Sequence, residues 1–172
     1  MNLKDLPKSV TNLTLDDYKR DINGPIPNFV TMLTFDGDSD IPEGKGLLQN
    51  GKASVTHLTF GCFNSDIKGL IPNLVTHLSF EISFNRKIKD SIPNSVTHLS
   101  FGYFFNQDIS LLPKNLIELS LGVRFKQKKL YSFPQSLRCL RLKKNTSIQF
   151  VPHKNLTVYR HDGKRRVRTD KG

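Results

Sequence analysis

Ile71-Pro72-Asn73-Leu74-Val75-Thr76-His77-Leu78-Ser79-Phe80 and Ile92-Pro93-Asn94-Ser95-Val96-Thr97-His98-Leu99-Ser100-Phe101 are two copies of one ten-residue string. The stretches 6–15, 26–35, 51–60, 112–121 and 133–142 fit the same frame, and a worn eighth copy begins at Val151. The proline position falls at residues 7, 27, 52 (a lysine), 72, 93, 113, 134 and 152, so successive spacings are 20, 25, 20, 21, 20, 21 and 18. Self-similarity at a period near 20 marks a solenoid, in which each unit buries its apolar face only against its neighbours.

Each part of the unit has a physical role. Leu-x-Phe alternates with period two, as in a short strand with one face inward. Proline fixes φ and lacks an amide hydrogen, so it suits the turn entering a strand and not its interior. A second motif follows the strand in the clearest copies: Phe63-Asn64-x-x-Ile67, Phe84-Asn85-x-x-Ile88 and Phe105-Asn106-x-x-Ile109. It has no sustained i, i+3, i+4 pattern, which predicts irregular or short 3₁₀ return segments. Leu78, Phe80, Leu99 and Phe101 are expected to face inward. So are Asn64, Asn85 and Asn106, as a buried ladder of amides bonding the backbone of neighbouring coils. The frame thus predicts seven or eight coils in a single repeat domain over residues 1–160, and a basic C-terminal tail over 161–172.

These strings, Phe-Asn followed by Ile-Pro and then Val-Thr-His-Leu-Ser-Phe, resemble FNIP repeats, a family related to leucine-rich repeats and expanded in social amoebae and in giant viruses that infect amoebae. The resemblance spans about residues 6–142. It implies a leucine-rich-repeat-like solenoid with parallel β-strands on one face, acting in protein–protein interaction. Family members often carry an F-box ahead of the repeats. With the first copy starting at Leu6, none is expected here, so a part in substrate recognition for ubiquitination would lack its own F-box.

Composition sets further bounds. No apolar run approaches the roughly 18 residues of a membrane span, and Met1-Asn2-Leu3-Lys4-Asp5 opens no signal-type core. Cys62 and Cys139 lie far apart, without metal-type or disulfide-type spacing, so reduced thiols in an intracellular, cytoplasmic monomer are expected. Charge is asymmetric. Residues 1–110 hold 10 Lys+Arg against 12 Asp+Glu (net −2) and residues 111–172 hold 16 against 3 (net +13), which together give the chain's +11.

His57, His77 and His98 share one frame position, with Glu118 and Cys139 next in that column. Stacked strands would set these imidazoles about 5 Å apart. Zinc prefers a tetrahedral cluster to a linear column, so no metal is assigned, and the column reads as surface copied along with the repeat. Beside it run Thr14, Thr34, Thr59, Ser79, Ser100 and Ser120. A serine–histidine pairing repeated in every coil, without a distinct acid or oxyanion hole, is strand surface; neither a catalytic residue nor a cofactor is expected. Asp36-Gly37-Asp38-Ser39-Asp40 opens like a calcium loop, but Ile41 and Leu47 occupy the positions where an EF-hand needs Gly and Glu. The stretch 36–51 reads as an acidic loop.

Binding specificity is expected where copies differ, in the 36–51 loop, on the surface of Glu118, Arg138 and Arg141 and at the basic end; with His57, His77 and His98, those three residues make the candidate binding surface. Arg124, Lys126, Lys128 and Lys129, with Arg138, Arg141, Lys143 and Lys144, are expected to form one basic patch. Lys164, Arg165, Arg166 and Arg168 belong to the tail, where they suit nuclear import or a phosphate-backbone contact. The leading expectation is therefore a protein partner, and the alternative is nucleic acid or another anionic surface bound through the basic third.

Overall fold

Each Leu-x-Phe string forms a strand, and the proline three residues before the Val position starts the turn that aims it. In a computed structural model, which describes residues 2–16, 24–37, 54–161 and 165–168, the Pro7, Pro27, Pro72, Pro93, Pro113 and Pro134 carbonyls accept the N–H three residues on at 3.0–3.2 Å. Strands follow at Asn12–Asp16 (β1), Met32–Asp36 (β2), His57–Phe60 (β3), His77–Phe80 (β4), His98–Phe101 (β5) and Glu118–Leu121 (β6). Further along come Lys126–Ser132 (β7), Cys139–Lys143 (β8), Ser147–Val151 (β9), Thr157–His161 (β10) and Arg165–Arg168 (β11). The main sheet runs β1-β2-β3-β4-β5-β6-β8-β10-β11 and is parallel throughout except for the last pair. Register follows the repeat frame without slippage: Leu58 faces Leu78, Leu78 faces Leu99, and His57, His77 and His98 are in line. The architecture is a leucine-rich-repeat-like solenoid.

Stacking columns make the core. Leu33, Leu58, Leu78, Leu99, Leu119 and Leu140 form one buried row along the strands, and Phe35, Phe60, Phe80 and Phe101 another. The phenylalanine rings stack at 5.6, 5.2 and 5.7 Å. The second motif supplies a parallel row, Phe63, Phe84, Phe105 and Phe125, at 6.3, 6.0 and 6.1 Å. Where the rows meet inside one coil, Phe80–Phe84 and Phe101–Phe105 lie 4.0 and 3.7 Å apart. Burying one such side chain contributes about 1.5–3 kcal/mol, and it does so only because the next coil covers it.

Three expectations need correction. The return segments are turns and bends in the middle coils, but the last ones are not irregular: β7 and β9 pair in parallel as a second, two-stranded sheet. Among the described residues the 3₁₀ helix is Leu3–Asp5, at the N-terminal end and not in a return segment, where Asn2 caps it by accepting the Lys4 N–H. The Asn64–Asn85–Asn106 ladder exists but lies at the surface, with Asn85 exposed and Asn64 and Asn106 half-buried. Each Oδ1 accepts the backbone N–H of the matching residue one coil on, at 2.9 Å, ending on Lys126. The side chain needs only to reach along the stack, so nothing draws it inward. The segment assigned to a tail also pairs with the sheet: β11 runs antiparallel to β10, with Val167 opposite Val158.

The ladder yields a stability prediction. Asn85→Ala removes the acceptor for both Asn106 N–H and Gln107 Nε2 and is expected to cost about 0.5–1.5 kcal/mol, because water replaces part of what is lost. Asn85→Asp keeps an acceptor in place and should cost less. Urea unfolding of both variants checks this, and equal losses would remove the acceptor role.

Candidate functional site

The open face of the main sheet carries a groove of about 310 Å³, lined by His57, His77, His98, Glu118 and Arg141, with Met32 among its other walls. Alternation in β3–β5 turns Leu and Phe inward, so the His and Ser/Thr positions must face out. His57 and His77 stack with centroids 4.1 Å apart, and His77 and His98 at 4.2 Å, with ring planes within 13° and 6°. This is closer than the strand spacing suggests.

The residue before each histidine holds its ring. Thr56, Thr76 and Thr97 Oγ1 lie 2.9 Å from Nδ1 of His57, His77 and His98. Each hydroxyl also donates to the carbonyl of the matching Thr on the preceding coil, at 3.2–3.3 Å. A charged ring is therefore accommodated without rearrangement: its Nδ1–H donates to Oγ1, whose own proton goes to that carbonyl. Nε2 of each ring has no hydrogen-bond partner among the described residues.

Burial holds the His77 pKa below the ordinary imidazole value, helped by its neighbours His57 and His98 and opposed by Glu118. Two unit charges about 4 Å apart repel by about 1 kcal/mol in water and about 4 kcal/mol near a protein surface. Charging the stack without an anion is thus costly. Next along, Arg141 grips Glu118 in a forked pair, Nε–Oε1 2.6 Å and Nη2–Oε2 3.3 Å. That contact is the main reason the Glu118 carboxyl lies below, and the Arg141 guanidinium above, its usual range. Arg141 also lies over the Tyr159 ring, 5.1 Å from its centroid. Cys139, next after Glu118 in the histidine column, has its thiol pKa raised by burial and then by Glu118.

These shifts set a direction for stability against pH. A histidine whose folded pKa is depressed binds fewer protons folded than unfolded, so its contribution is present above the unfolded value, about pH 6.5, and is lost as pH falls. The depressed Glu118 and Asp108 carboxyls act with the same sign at lower pH. Stability is therefore expected to drop between neutral pH and about pH 5.5, and His77→Gln should flatten the upper part of that drop. Urea midpoints across the range measure it. A drop as steep in His77→Gln would show that other groups carry it.

The groove brings together His57, His77, His98, Glu118 and Arg141. Arg138 is exposed at the entry to β8, donating Nη1 to the Gln135 carbonyl at 2.7 Å, and does not line the groove. The single basic patch is divided. Lys126, Lys128 and Lys129 sit on β7 in the second sheet, Arg141 and Lys143 on β8 in the main sheet, and Lys144 in the turn after it. The return half and the strand half of a coil face different sides, so neighbours in sequence do not share a surface. Lys129 is tied to Asp108 at 3.0 Å, and Arg124 packs over the Tyr103 ring at 5.4 Å. Arg165, Arg166 and Arg168 are placed by backbone on β11; Lys164 and all of the acidic loop beyond Gly37 that the structure leaves undescribed, residues 38–51, lie outside the described residues.

The stacking of Arg141 on Tyr159, and the exposed Ile82, Tyr103 and Phe104, of which Tyr103 lies under Arg124, were not singled out from sequence. The last three sit in the short variable gap between strand and Phe-Asn motif, where the copies differ most. Among the described residues no His, Cys, Asp and Glu cluster has metal-ligand geometry, and no helix is long and apolar enough to cross a membrane.

Residues 63–104 match the family model for the FNIP repeat. The curated proteins contain no match. Among solved structures the chain is similar to CroV588, a giant-virus protein described as a novel circular LRR protein, with a TM-score of 0.61 and 29% identity. That match covers 92% of this chain and 31% of CroV588, so the chain spans under a third of the length of that protein.

Proposed function

From a chain that carries FNIP repeats on a leucine-rich-repeat-like solenoid, we infer a non-enzymatic scaffold that binds another protein through the open face of its sheet. One observation carries this reading: the groove over β3–β6 presents the three Nε2 atoms and the half-buried hydroxyls of Thr59, Ser79, Ser100 and Ser120. Donors and acceptors aligned along an open groove offer a partner a row of hydrogen bonds in place of those made to water. The basic residues favour this reading over a nucleic-acid binder, since they are spread over two sheets and Lys129 and Arg141 already have carboxylate partners.

A photo-crosslinking side chain placed at Ser79, in the groove, is expected to yield a discrete protein adduct in host extract. The same group at Lys87, on the return side, is expected to yield none. Identical adducts from both positions, or none from Ser79, would overturn the reading.

A further inference from the structure

We propose that the His57–His77–His98 stack is a binding site for the carboxylates of an acidic polypeptide segment, which it takes up together with protons. This rests on the groove being the binding face, and adds what the face recognises.

The argument begins from what each ring has left to offer. Nδ1 is occupied by the preceding threonine in all three, so recognition falls to three Nε2 atoms in a row, on rings 4.1 and 4.2 Å apart. Because each threonine hydroxyl proton goes to the preceding coil's carbonyl, Nδ1–H donates to Oγ1 and neutral rings present Nε2 only as acceptors. Protonated, they present three N–H donors side by side, and the two oxygens of one carboxylate bridge neighbouring donors at that separation.

Charged groups around the stack set the sign. On β6, Glu118 adjoins His98 but is held by Arg141 of β8. Cys139 on β8 adjoins Glu118, and Tyr159 on β10 adjoins Arg141. On the other side, β2 and β1 offer Met32, Thr34, Asn12 and Thr14, none of which titrates. Asp16 and Asp36 stand at the far ends of those strands and Glu81 just past β4, all exposed. His57 and His77 thus have no carboxylate partner among the described residues. Each proton taken up makes the next harder to add, unless an anion arrives with it. A cationic segment would be driven off as the stack charges, and an apolar one would not respond to pH, so charge complementarity selects an acidic occupant.

The test uses fluorescent polyaspartate and the full chain, by anisotropy at about pH 5.5 and about pH 8, either side of the imidazole pKa. Affinity is expected to rise about tenfold or more toward the lower pH, whereas the triple variant His57→Gln, His77→Gln, His98→Gln loses the rise. An equal rise in the triple variant would place the effect outside the stack and overturn the proposal. So would absence of binding at the lower pH, or polylysine binding in place of polyaspartate. If the triple variant does not fold, NMR titration of His77 in the intact chain decides: polyaspartate must raise its midpoint, and an unmoved midpoint overturns the site. A flat pH response with the Ser79 adduct still formed removes this proposal and leaves the scaffold reading standing.

Discussion

Replacing Phe84 with alanine is expected to lower the unfolding free energy by about 3–5 kcal/mol, the range for emptying a packed aromatic site. Phe84 lies 4.0 Å from Phe80 within its own coil and 6.3 and 6.0 Å from Phe63 and Phe105 on the coils either side, with its side chain buried. One truncation therefore opens a void at two coil–coil interfaces. A solenoid is held together by such nearest-neighbour interfaces, so urea unfolding should also lose its single-step character as the coils before and after Phe84 uncouple. Phe104→Ala is the control: that ring is 46% exposed, and its loss should change stability by about 0.5 kcal/mol or less, as at ordinary surface sites. A cost below about 1 kcal/mol at Phe84 would mean that the stacked rows do not hold the array together.

Gly102→Ala is expected to be comparably severe, for the opposite reason. Gly102 follows β5 directly, and a β-carbon there would overlap the Glu81 carbonyl group on the coil below and press on the Phe80 carbonyl oxygen at 2.8 Å. Gly122 stands in the same relation to the backbone of Gly102. The clash is with backbone on one side and a packed coil on the other, so no flexible side chain can give way. Coils must separate locally, at about 3 kcal/mol or more, the upper part of the range for overpacking. The Tyr103 N–H, which donates to the Glu81 carbonyl at 3.0 Å, should then exchange faster with deuterated solvent. Unchanged stability and unchanged Tyr103 exchange would show that the coils are not in this close contact.

Much of this was legible in the sequence because the repeat states each position several times. Val-Thr-His-Leu-Ser-Phe names the inward Leu and Phe, the outward His and Ser, and the threonine that proves to hold each ring. The register of β3 with β4 and β5 follows by aligning the copies. Legibility fades where copies diverge. Lys126-Gln-Lys-Lys-Leu-Tyr-Ser132 contains a single buried residue, Tyr131, so its apolar pattern is too thin to announce a strand. β7 forms because β9 lies one coil further on, offering backbone partners from Ser147 to Val151.

Readable from the repeat alone were the period, the positions of the frame strands and the direction each of their side chains faces. Those follow from alternation, proline geometry and the need of each coil to be covered by the next. The rest emerges once the coils are stacked: that the Asn ladder runs along the surface, that the basic residues separate onto two sheets, that β11 folds back on β10, and that Arg141 reaches across to Glu118. These depend on where side chains from different coils come to lie once the stack is built. A frame position fixes a residue's face but not the reach, tilt and charge of its neighbours, and the candidate site is made of those.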